Sequence, residues 1–185
     1  MKILRTLLIL CIICLTNSHS TSGQKVNPYA SIVWEESNLV EFGIKLYYPN
    51  DWILGNANST ITKWVVVPNF EAKGNIVLKM MPWDFKPIFS SYSSPQFKND
   101  LLPNSLYSDL TFVVYDNKYK VAGQDALFTY LIAKGKFVDE LYQEIIFQWW
   151  KDGILYTLQG AFGVEMLKKD EIELIQKMAD KIKFQ

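Results

Sequence analysis

Arg5, Cys11, Cys14 and His19 are all the guanidinium, thiol and imidazole groups this chain has, and all four fall within its first nineteen residues. Those residues read as a leader. Lys2 and Arg5 precede an apolar run over residues 6–15, and Ser18-His19-Ser20 offers a small-x-small cleavage site. Once residues 1–20 are removed, acid–base chemistry rests on Asp, Glu, Lys and Tyr alone. A serine hydrolase would lack its imidazole base, and no Gly-x-Ser-x-Gly is present. No Ser-x-x-Lys opens a helix. A glycosidase needs two carboxylates facing each other across a cleft. Glu35-Glu36 and Asp139-Glu140 are adjacent, so on a strand they diverge and read as solvated edges. Asp116-Asn117 and Asp152 belong to no Asp-x-Asp-x-Asp-Gly loop, and glycine is too sparse to cradle phosphate. The expectation is therefore no catalytic residue, no metal site and no cofactor.

What the chain has in abundance is rings. Its 27 aromatic residues all lie beyond the leader, enough for a large aromatic core. Trp149 and Trp150 are neighbours on one expected strand, so they point to opposite faces and suit core packing. Trp83, Phe85, Phe89 and Tyr92 are different: they stand in an irregular segment with prolines at 82, 87, 95 and 103. Loops held on a scaffold carry function more often than the scaffold does. These four are the candidate partner- or ligand-binding residues.

The elements that must position them are mostly strands. Period-two alternation marks residues 41–48, where Phe42, Ile44, Leu46 and Tyr48 share a face, and residues 76–81, where Ile76, Leu78 and Met80 do. Further strands are expected at 31–35 (an edge), 60–67, 112–121, 124–133, 138–150 and 154–161. Asp152-Gly153 is the strongest hairpin signal, since both residues tolerate positive φ. Ser94-Pro95 predicts a short helix over 95–102 with Ser94 as its cap. A second helix is predicted over 169–183, with Ile172, Leu174, Ile175, Met178, Ala179 and Ile182 on one face and a Glu173–Lys177 pair outside.

The layout is then a leader over residues 1–20, a polar lead-in over 21–30 and one domain over 31–185. The ten-residue apolar run is shorter than the about twenty residues a membrane crossing needs, so no transmembrane segment is expected after cleavage. The mature chain would carry seventeen lysines against nineteen carboxylates and no arginine, which argues against nucleic acid as a partner. Asn58-Ser59-Thr60 fits a glycosylation sequon.

Three patterns in order resemble the PsbP-like superfamily. They are FGIKLYYPNDW at residues 42–52, KVAGQDALFTY at 120–130 and KDGILYTLQG at 151–160, followed by one closing amphipathic helix. The resemblance spans most of the mature chain. It implies an α+β fold, a central antiparallel β-sheet flanked by helices in an α/β/α sandwich. It also implies a role in binding macromolecules rather than catalysis; the histidine metal contacts of photosynthetic members have no counterpart here. The resulting expectation is a secreted or periplasmic non-enzymatic module that binds a protein or cell-envelope partner. The alternative is a lipid or glycan carrier using an aromatic pocket, with a carboxylate-based hydrolase behind both.

Overall fold

Alternating side chains become two antiparallel sheets. In the computed structural model, residues 31–57, 59–102, 107–137, 140–163 and 165–185 are described. The expected leader, the lead-in, Asn58, Pro103 and the first two residues of the strand expected at 138 lie outside them.

The chain enters through β1 (Trp34–Leu39), makes a 3-10 turn, and returns antiparallel in β2 (Ile44–Pro49). The turn ends at Gly43, whose φ of 60° suits a residue without a Cβ. Phe42 therefore belongs to the turn, while Ile44, Leu46 and Tyr48 are buried as the alternation requires. The edge strand starts at Trp34, three residues later than expected. Glu35 and Glu36 do lie on that edge: Tyr48 donates to Glu35 at 3.0 Å, and Lys45 donates to Glu36 at 2.7 Å.

The larger sheet has the order β3-β4-β5-β9-β8-β7-β6. Its strands are β3 (Ile53–Leu54), β4 (Thr62–Val67), β5 (Gly74–Pro82), β6 (Tyr107–Val121), β7 (Gln124–Gly135), β8 (Leu141–Lys151) and β9 (Ile154–Phe162). β6 to β9 form consecutive hairpins, and β5 crosses to pair with β9 over its whole length. Asp152 (φ 51°) and Gly153 (φ 80°) make the β8–β9 turn, and Ala122 (φ 49°) and Gly123 (φ 79°) make the β6–β7 turn.

One face of this sheet carries Ile76, Leu78, Phe128, Ile145, Phe147, Trp149, Tyr156 and Leu158, all buried. The Trp149 ring stacks on Tyr156 at 5.3 Å, and Phe147 stacks on Phe128 at 4.7 Å. The C-terminal helix α2 (Lys169–Asp180) belongs to this side: Tyr119 packs on Phe128 and Phe147 and donates to Asp180 at 2.5 Å. Gln143 anchors the approach to the helix, accepting from the amide of Leu167 at 2.9 Å. The opposite face, with Leu127, Leu131 and Ile146, receives the short helix α1 (Ser94–Leu101) through Phe97 and Leu101. Among the described residues the architecture is α+β, mostly antiparallel sheet with two α-helices.

Three expectations need correcting. The predicted helix over 169–183 stops at Asp180, and Lys183–Phe184 forms a last strand, β10, beside β2. A second, three-stranded sheet (β1-β2-β10) thus stands apart from the larger one. Glu173 pairs with Lys169 at 3.7 Å, one turn before it rather than after. The cap of α1 is Ser93, whose Oγ accepts from the Gln96 amide; Ser94 is already helical.

Candidate binding site

The irregular segment between β5 and α1 folds back across the α1 side of the large sheet, and its backbone is pinned at both ends. At the start, the Trp83 amide donates to Gly153 O at 2.8 Å, and the indole of Trp150 donates to Trp83 O at 2.9 Å. Trp149 and Trp150 thus point to opposite faces, one into the core and one toward this segment. At the far end, the Tyr115 hydroxyl donates to Tyr92 O at 2.8 Å, and Asn117 Nδ2 donates to Ser90 O and Tyr92 O. Between the pins lies a 3-10 turn over Phe89–Ser91, closed by Ser91 and Tyr92 amides bonded to Ile88 O and Phe89 O.

Phe89 is buried with Phe97 and Leu127, which fixes the segment to sheet and helix together. Phe97 meets Tyr92 edge-on at 5.9 Å, and Phe112 and Tyr115 complete the ring cluster. Under the segment is a cavity of about 310 Å³, at the small end of the range for ligand sites. Trp83, Phe89, Tyr92, Phe97 and Leu155 are among its apolar lining residues, with Asp100 and Gln148 as polar members. Tyr92 donates its hydroxyl proton to the Asp100 carboxylate.

Of the four candidate residues, Trp83, Phe89 and Tyr92 therefore meet at one cavity. Phe85 does not line it; it projects outward at 80% exposure, with Ile88 at 71% and Trp83 at 44%. Of the lining residues the sequence reading missed, Pro87 and Ile88 lie in the same segment and the rest come from other elements. Phe97 and Leu101 stand one turn apart on the predicted short helix, a spacing that marks its inner face. Gln148 and Leu155 come from the β8–β9 hairpin and carry no local signal.

The buried carboxylates are elsewhere and have structural partners. Glu171 accepts from the Lys168 amide at 2.7 Å and so caps α2. Glu144 accepts from Tyr107 and, at 2.9 Å, from Gln159, which in turn accepts from Lys79 at 2.5 Å. Burial pushes the Glu144 pKa up, against the pull of these hydrogen bonds. Among the described residues no three His, Cys, Asp or Glu side chains group as a metal set, and no helix is long and apolar enough to cross a membrane.

No protein-family model matches this sequence, and no curated protein matches it significantly. Solved structures do match in shape. The solution structure of cyanobacterial PsbP (CyanoP) from Synechocystis superposes with a TM-score of 0.56 at 13% identity, covering 85% of this chain and 96% of that one. LpqN of Mycobacterium tuberculosis, a protein involved in cell envelope biogenesis, superposes with a TM-score of 0.51 at 14% identity, covering 82% and 90%. The chain has the PsbP-like fold.

Proposed function

We propose that this chain is a non-enzymatic binding module, secreted or periplasmic, that engages a protein or cell-envelope partner through residues 83–92. The observation that carries the reading is the segment itself. It is pinned at both ends, yet it presents Trp83, Phe85 and Ile88 to solvent, and large apolar groups gathered on a surface mark interaction sites. The role of LpqN in cell envelope biogenesis supports the envelope placement. The non-enzymatic reading is supported by the structural employment of Glu144 and Glu171.

The test is lysine cross-linking of the chain in its own host, followed by mass spectrometry. A recurrent envelope protein captured by the wild type and lost in Phe85→Ala and Trp83→Ala is the expected result. An unchanged set in both variants, or nothing above an inert secreted control, rejects it. A second reading, a small-molecule carrier, is favoured by the aromatic cavity under the same segment.

A further inference from the structure

The polar groups around the cavity are biased toward accepting hydrogen bonds. Among the described residues, Asp100 is the one charged side chain that lines it. Tyr92 spends its hydroxyl proton on Asp100 Oδ2, and the amides of Trp83, Tyr92 and Phe97 are bonded to Gly153 O, Phe89 O and Ser93 O. Gln148 Nε2 donates one proton to Thr157 Oγ1 at 3.4 Å, and its amide oxygen is a further acceptor group on the lining. Lys98, on the same helix, is committed to Asp109 and to Leu110 O. The rest of the wall is aromatic and aliphatic, and aromatic faces attract cations.

We propose that this cavity binds an organic cation, an alkylammonium ion whose apolar body lies among Trp83, Phe89 and Phe97 and whose charged head rests against Asp100. The assignment rests on the carrier reading of the cavity and adds its ligand chemistry. An anion would meet a carboxylate and no lining cation. A neutral chain would fill the apolar wall but gain nothing from the Asp100 carboxylate at its solvent-exposed side.

Three probes of equal chain length separate these cases: hexyltrimethylammonium, 1-hexanol and hexane-1-sulfonate, titrated against the chain by calorimetry and tryptophan emission. The cation is expected to bind at least about tenfold more tightly than hexanol, with the sulfonate weakest. Asp100→Asn, which keeps an oxygen for the Tyr92 hydroxyl, should weaken the cation about tenfold and leave hexanol unchanged. Raising ionic strength on the wild type should weaken the cation alone, a check that needs no variant. Equal affinities for cation and alcohol, or a cation affinity indifferent to both Asp100→Asn and salt, overturn the charge assignment while leaving a ligand cavity. Failure of all three probes to bind saturably overturns the cavity reading as well.

Discussion

Glu144 stands on β8 between Gln143 and Ile145, and the pleat turns it to the face on which Leu101 of α1 and the Tyr107 side chain of β6 pack. Buried there, its carboxylate loses water that two neutral donors and the Lys79 charge replace only in part, so its pKa is raised. The folded chain therefore holds this proton to a higher pH than the unfolded chain does. Below the ordinary glutamate range both states are protonated and the group is neutral to the balance. As pH rises through that range, the unfolded chain releases its proton first and stability falls until the folded carboxyl also ionises. Glu144→Gln keeps an oxygen for Tyr107 and Gln159 but cannot ionise. The variant should match the wild type in acid and gain on it as pH climbs past the ordinary glutamate value of 4.5. Urea unfolding of both proteins across that range checks this; a stability difference that stays flat with pH would refute it. In the sequence this residue is one of several polar letters, with Gln143 and Gln148, in a largely apolar strand. That it would be buried depended on β6 arriving with Tyr107, a long-range event no local pattern announces.

Hairpins are local, and that is why the second half of the sheet was legible. Asp152-Gly153 adopts the turn its residue types demand, and period-two alternation put Ile76, Leu78 and Met80 on the buried face. The other tight turn is less well served. Ala122 is held at φ 49° beside Gly123, a region where an alanine Cβ crowds the backbone by about 1 kcal/mol. Ala122→Asn would convert the turn to Asn-Gly, and it should stabilise the fold by roughly 0.5–1 kcal/mol. A rise in the urea midpoint at constant m-value is the expected reading, and a fall would mean that Ala122 makes contacts the turn argument ignores. The candidate site shows the opposite limit. Aromatic content in a proline-rich segment drew attention to Trp83, Phe85, Phe89 and Tyr92, but an irregular backbone has no period to say which rings turn inward. Phe85 turned out and Phe89 turned in, and Phe89 does so at the 3-10 turn over Phe89–Ser91.

At the scale of the molecule, the three-stranded sheet was hidden for a physical reason. Its third strand is two residues long and pairs with β2 from the far end of the chain, so neither length nor periodicity could mark it. Phe184 of this strand also helps join the sheets. Its ring meets Tyr156 of the large sheet edge-on at 5.5 Å, with Lys151 Nζ over its face at 4.7 Å. Tyr48 on β2 and Trp64 on β4 make a second join, 5.8 Å between rings. With apolar contacts crossing between the sheets, the small sheet has no core of its own to melt separately. Phe184→Ala removes one join and should cost about 1–2 kcal/mol, from the aromatic and cation–π contacts together. Because Tyr48–Trp64 remains, the variant should still unfold in one step, with tryptophan emission and far-ultraviolet dichroism following the same curve. Two separated transitions would show instead that the small sheet is held on chiefly by the C-terminus, and an unchanged midpoint would show that Phe184 contributes nothing to joining them.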